Sequence, residues 1–287
     1  MDIMGKRKIW YTISLVIIII GLSFLLFKGL NFGIDFTGGT ILEFTFDREV
    51  GNDEVRDLLA GLDFSIDPQL QQTEVDGNPG VIIKTKELNS DQIIAVENIL
   101  EKKYSSTEML RSDMVGPLIG KELRRNAIYA IIIASLAIVA YISMRFEFRF
   151  AIVAIITLLH DVSIVLGLFA IIQKEINTAF VAALLTIIGY SINDTIVIFD
   201  RIRENMKLMR RKSFEEKANT AVVDTLPRSI NTSLTTLITI LAIYFFGGAS
   251  LQIFMLALFI GMFAGTYSSI FVASPLLITW TEKITKN

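Results

Sequence analysis

The sequence predicts an α-helical polytopic membrane protein: six transmembrane helices, with one α+β, ferredoxin-like extracytoplasmic domain between the first and second. Three observations predict it. Of the 287 residues, 52% are hydrophobic, and they come in blocks long enough to cross a bilayer rather than in short alternations. One stretch, residues 31–120, breaks that pattern and is large enough for a core of its own. The Lys and Arg residues collect in alternate connectors.

Lys6-Arg7-Lys8 precede an uncharged apolar run from Ile9 to Phe27. At about 1.5 Å per residue, that run matches the roughly 30 Å of a hydrocarbon core. It is long for the apolar part of a signal peptide, and Lys28-Gly29-Leu30-Asn31 is not a small-residue cleavage site. Residues 1–30 are therefore expected to be a cytoplasmic N-terminus and a retained first span.

Residues 31–120 open with Phe32-Gly33-Ile34-Asp35-Phe36-Thr37-Gly38-Gly39 and then alternate from Thr40 to Phe46, a strand pattern. Val55, Leu58, Leu59 and Leu62 give Asp53–Leu62 one apolar helical side. Leu70–Val75 and Val81–Lys86, joined through Asp76-Gly77-Asn78-Pro79-Gly80, read as a hairpin. A helix over Ser90–Tyr104 and a strand over Thr107–Val115 complete a βαββαβ order, the ferredoxin-like pattern.

Residues 121–287 carry five more spans: Ala127–Met144, Phe150–Ile172, Thr178–Phe199, Ile230–Phe246 and Leu251–Trp280. The long connector, residues 200–229, is expected to be cytoplasmic. Its Ser213-Phe214-Glu215-Glu216 fits a capping box, and Ala218, Ala221, Val222 and Leu226 form an apolar stripe expected to lie on the membrane face. Pro227 is expected to break that helix. Basic residues mark the N-terminus, Arg145 and Arg149, eight positions between Arg201 and Arg228, and Lys283 with Lys286. The positive-inside rule then puts both termini in the cytoplasm and residues 31–120 outside. In the last span, Gly261, Gly265, Ser269 and Ala273 form a small face suited to close helix packing.

Composition narrows the chemistry. A net charge of −2 suggests no general polyanion partner. The absence of cysteine excludes disulfides and thiolate sites, and a single histidine, His160, excludes multi-histidine metal centres, so no metal site is expected. Gly33, Gly38 and Gly39 are not followed by Gly-Lys-Ser/Thr, so they read as a tight turn and not as a phosphate loop. With no nucleotide site, any work must draw on a gradient or a partner.

Asp194 is the sharpest candidate, an ionisable group at membrane depth flanked by Ser191, Asn193 and Thr195. Such a group is costly in a bilayer and reads as a carboxylate that takes up and releases a proton or cation, with H⁺ and Na⁺ both open and no other cofactor expected. His160 and Asp161 read either as a secondary relay or as helix-to-helix hydrogen bonders, and being adjacent they point about 100° apart. Asn193 and Thr195 share that choice. From spacing alone, Arg228 is an interfacial, positive-inside arginine. An enzyme is not expected: Gly189-Tyr190-Ser191 lacks the second glycine of a nucleophile elbow, and Asp161 and Asp194 lie outside a Gly-x-Gly-Asp setting.

The chain resembles the SecD/SecF family of the resistance-nodulation-division superfamily, and within it the SecF-type chains. The likeness rests on Gly33-Ile34-Asp35-Phe36-Thr37-Gly38-Gly39, Val115-Gly116-Pro117, Gly120-Lys121-Glu122-Leu123 and Leu159-His160-Asp161. It continues through Gly189–Thr195, Asp200-Arg201-Ile202-Arg203-Glu204-Asn205 and Arg228-Ser229-Ile230-Asn231-Thr232-Ser233. The resemblance implies an accessory subunit of the Sec translocase in the cell membrane. Its partners would be SecD, the SecYEG channel, YajC, translocating preproteins and the lipid bilayer, and it would use the proton motive force to promote translocation and release. It also implies that Asp194 and Arg228 serve ion conduction. The rival readings are a half-sized efflux or lipid transporter of the same superfamily and a passive scaffold for channel assembly.

Overall fold

Six helical segments are long and apolar enough to cross a membrane in the computed structural model, which describes residues 2–75, 77–104 and 106–286. They are α1 (Arg7–Phe27), α5 (Pro117–Arg145), α6 (Phe148–Ile172), α7 (Thr178–Leu208), α8 (Phe214–Phe246) and a last segment, Leu251–Glu282. That last segment comprises α9 (Ala249–Ser268), a π turn (Ser269–Ala273) and α10 (Ser274–Lys286). The chain divides into two units, residues 32–126 and residues 1–31 with 127–287.

The smaller unit runs α2 (Ile34–Thr37), β1 (Gly39–Thr45), α3 (Asn52–Leu59), β2 (Gln69–Val75), β3 (Asn78–Thr85), α4 (Ser90–Lys103), β4 (Glu108–Val115) and then the start of α5. Its strands form one antiparallel sheet in the order β2-β3-β1-β4. Leu42, Phe44, Val81 and Ile83 face the helices and pack with Val55, Leu59, Val96 and Leu100. Full burial of a side chain such as Phe44 contributes about 2–3 kcal/mol. Asn89 caps α4 reciprocally with Gln92, at 2.9 Å each way. The β2–β3 connection is tighter than the five residues expected, because Asn78 already pairs with Val75 and Gly77 takes φ +81°. Asp76, assigned to that connection, lies outside the described residues.

Gly33–Gly39 forms more than a turn. Gly33 precedes the four-residue α2, and Gly38 ends it at φ +77°. Gly39 follows at φ +139°, and a Cβ there would lie 2.5 Å from the carbonyl oxygen of Thr85. Gly39→Ala is therefore expected to destabilise the protein by about 2–4 kcal/mol, seen as a lower unfolding temperature of the full chain. Gly120, on the first turns of α5, packs tightly on Gly38, since a Cβ there would stand 3.1 Å from the Gly38 nitrogen.

In the larger unit, small residues set the helix crossings. Gly21 of α1 meets Gly167 of α6 backbone to backbone. Gly261 and Gly265 of α9 face Ile187 and Ser191 of α7, as a small face predicts. At one end, Ile176 N donates to Asn31 O (2.7 Å) and Asn31 Nδ2 to Gln173 O (2.9 Å), which ties the end of α1 to the α6–α7 connection. At the other end, Arg7 reaches Glu215 and Glu282, and Asn219 Oδ1 accepts from Ile3 N and Met4 N.

Four expectations need correction. Helix α5 begins at Pro117, ten residues before the apolar run, because Pro is suited to a first helical position and nothing interrupts the charged stretch that follows. The connector 200–229 holds the helix expected from Ser213, but its first part is helical as well, and only residues 209–213 are outside helix. Helix α7 runs on to Leu208, and α8 starts at Phe214 behind the Ser213–Glu216 capping box. Pro227 lies inside α8 and does not end it. A proline removes one backbone hydrogen bond, and packing on both sides outweighs that loss. Ala218, Ala221 and Val222 before it are buried with Ile3, Met4 and Ile202, and Ser229 and Ser233 after it are buried too. The stripe thus packs into the bundle rather than onto a membrane surface.

Candidate functional site

Buried polar groups gather where α6, α7, α8 and α9 meet, and each reaches that place by helical spacing. Ser191, Asp194 and Thr195 occupy successive turns of the buried side of α7, while Asn193 points out to an exposed face. His160 and Asp161 lie midway along α6 and are buried. Ser268 and Ser269 stand where α9 gives way to the π turn.

The two carboxylates differ sharply in their surroundings. Asp161, with no exposed surface, accepts from His160 Nδ1 on one oxygen (2.8 Å) and from the hydroxyls of Ser191 and Ser268 on the other. The Ser268 contact is 2.8 Å. Three polar partners surround the carboxyl group. They also join three helices at one point. His160 and Asp161 therefore do meet, although adjacent helical positions diverge. The His160 ring stacks on Tyr267 at 6.2 Å between centroids, and its Nε2 has no partner among the described residues.

Asp194 has almost none of this support. Its side chain is 5% exposed, and its buried Oδ2 has no hydrogen-bond partner among the described residues. Arg228 and Ser233 approach its charge from α8, and the Ser233 hydroxyl shares a hydrogen bond with Thr266 Oγ1 (2.7 Å). Among the described residues Arg228 makes no ion pair within 4 Å, and it is exposed. Thr195 sits one residue on, donating to Ser191 O (3.3 Å) and sharing a hydrogen bond with Ser269 Oγ (2.8 Å). A buried carboxyl oxygen without a donor is costly when charged and is relieved by a proton or a cation.

The structure thus brings together Asp194, Thr195, Asp161 and His160 on neighbouring helices and sets Arg228 within electrostatic reach. It leaves Asn193 on the outside of α7. Gly33, Asp35, Gly38 and Gly39 belong to the other unit. Reading from sequence missed Ser233 and Ser268. A serine in a span is too common to stand out; Ser268 adjoins the Gly261/Gly265/Ser269 face, and Ser233 closes the Arg228–Ser233 stretch.

Comparison with known proteins assigns these residues to a family. A family model described as protein export membrane protein SecD/SecF, C-terminal, matches residues 95–283, and another for the SecD/SecF GG motif matches residues 23–50. The chain belongs to the SecD/SecF family. It is similar to the protein translocase subunit SecF of Thermobaculum terrenum, 44% identical over 98% of this chain and 94% of that protein. It is also similar to the subunit of the same name from Haemophilus influenzae, 39% identical over 95% of this chain and 83% of that one. Among solved structures, it matches the crystal structure of SecDF, a translocon-associated membrane protein from Thermus thermophilus, with a TM-score of 0.90 at 37% identity. That match covers 98% of this chain and 39% of SecDF, so the chain spans about two fifths of that longer protein. The polar cluster of α6–α9 lies wholly within the stretch matched by the SecD/SecF C-terminal model.

Proposed function

We propose that this chain is a SecF-type accessory subunit of the Sec protein translocase, acting with SecD and the SecYEG channel to turn an ion gradient into preprotein movement and release. One observation carries the ion-coupling part: the buried, donorless Oδ2 of Asp194 beside the helix that bears Arg228 and Ser233. Uptake and loss of an ion at Asp194, H⁺ or Na⁺, changes the electrostatics between α7 and α8, and the resulting shift in helix packing drives the residue 31–120 domain. One charge crossing the membrane yields about 2.3 kcal/mol per 100 mV, enough to bias a two-state change. Arg228 sets the charge balance, and Asp161 with His160, Ser191 and Ser268 serves as a hydrogen-bonded clasp rather than as a relay.

The remaining parts of the reading have separate support. The distribution of Lys and Arg favours cytoplasmic termini and an extracytoplasmic α/β unit. The βαββαβ order with strands in the order β2-β3-β1-β4 supports reading that unit as ferredoxin-like. Asn193 on α7 and Asn231, Thr232 and Thr235 on α8 are exposed at membrane depth, where polar groups call for cover. A SecD-type membrane bundle is the cover we assign, in keeping with the SecDF chains in which a match to this sequence is part of a longer protein. YajC belongs to the same proposed assembly.

The test is translocation into proteoliposomes holding the channel, a SecD partner and this chain, with and without an imposed gradient. A gradient-stimulated fraction that requires this chain supports the reading, and exchanging Na⁺ for H⁺ identifies the ion. Equal translocation with and without the gradient overturns it in favour of a scaffold. Export of a small solute or lipid without SecD overturns it in favour of a transporter.

A further inference from the structure

The two edges of the α/β sheet are built differently. Edge strand β4 meets β1 with a register break between Glu43 and Phe44, and it carries an Arg111–Asp113 ion pair. Bulges and charges of this kind keep foreign strands from pairing. Edge strand β2 has no bulge and a single charge. Its seven residues, Gln69-Leu70-Gln71-Gln72-Thr73-Glu74-Val75, pair with β3 in unbroken register from Gln69–Lys84 to Val75–Asn78. They include no proline, no basic residue and no bulge, and Glu74 is their one charge. Gln69, Gln71, Gln72 and Glu74 are exposed, and no backbone hydrogen bond reaches the outer edge of β2 among the described residues.

We infer that β2 is a docking edge at which an extended segment of another polypeptide adds as a fifth strand. Pairing would run through main-chain N–H and C=O groups, which every sequence offers, and neutral Gln and Thr side chains neither select nor repel what arrives. That is the chemistry required to hold many unrelated unfolded chains, and the inference rests on the proposed role in preprotein transport. A second copy of this chain fits less well. Antiparallel self-pairing about Gln71–Gln72 sets Glu74 of each copy opposite Gln69 of the other and diagonal to its Asp67, about 7–8 Å away, so like charges flank the pairing at both ends.

The test uses the full chain in nanodiscs, with an eight-residue Thr/Val peptide as probe and the same peptide N-methylated at alternate residues as control. Hydrogen exchange is expected to slow at alternate amides of β2 when the peptide is added, and the N-methylated form is expected not to bind. Because neighbouring residues of a strand face opposite edges, only one of Gln71→Pro and Gln72→Pro removes an outward N–H. The variant that keeps the wild-type unfolding temperature should lose roughly tenfold in peptide affinity. Equal binding of the N-methylated peptide, protection at β4 instead, or no binding overturns the inference. Protection that grows with protein concentration in the absence of peptide also overturns it, in favour of a second copy. Asp194 has no part in this binding, so failure here with gradient stimulation intact refutes the docking edge alone.

Discussion

Asp194→Asn is expected to abolish the gradient-stimulated fraction of translocation while leaving the amount of folded protein unchanged. Asparagine keeps the size of the side chain and one oxygen, but it cannot take up or release a proton and has no charge to offer a cation. The unfolding temperature should hold or rise, since the variant removes a buried carboxylate whose Oδ2 has no donor. Removing the charge on α8 instead, in Arg228→Met, should also reduce stimulation, because the electrostatic partner of Asp194 is lost. The measurement is translocation in proteoliposomes with and without the gradient, beside a melting curve for each variant. Full stimulation in Asp194→Asn would mean that this carboxylate only packs.

Asp161→Ala should have the largest effect on stability among the polar positions. It would leave His160 Nδ1 and the hydroxyls of Ser191 and Ser268 without their acceptor, at a cost of about 2–4 kcal/mol in total. The cost is held down because Ser268 Oγ also reaches Gly265 O at 3.1 Å and can fall back on it. Asp161→Asn retains one acceptor oxygen, and a change of imidazole tautomer lets it meet His160, so it should recover most of the stability. Gradient stimulation in Asp161→Asn should persist, which separates a clasp from a relay. The checks are unfolding in detergent and the same translocation assay, and loss of stimulation in a stably folded Asp161→Asn would make Asp161 part of the ion path.

The architecture was legible where one physical effect dominates. Apolar runs long enough for a bilayer marked all six spans, and the Ser213–Glu216 capping box marked the start of α8. Gly261 and Gly265 marked the face that meets α7. Errors came where tertiary packing overrides a local preference. Pro227 is a helix breaker by propensity, yet burial of Ala221 and Val222 before it and Ser229 after it carries the helix through. Ala218 looked like part of a membrane-surface stripe because Ile3 and Met4, which cover it, precede the first span and lie more than two hundred residues away in sequence. At the candidate site, Asp194 stood out by its cost alone. The fate of Asp161 depended on Ser191 and Ser268 from two other helices, which no spacing along α6 reveals.

The unbroken helix through Pro227 also has a mechanical meaning. From Phe214 to Pro227 the helix forms an arm of about 20 Å at 1.5 Å per residue, and Ser233 beside Asp194 lies just beyond the proline. A proline inside a helix lacks one bond of the ladder and is the softest point along it. A swing of about 5° there carries the far tip by roughly 1.7 Å over that length. Asn219 holding Ile3 and Met4, and Arg7 holding Glu215, fasten the arm near its tip. On the proposed mechanism those fastenings oppose any swing about Pro227, so they are the contacts that a displacement starting at Asp194 would have to strain.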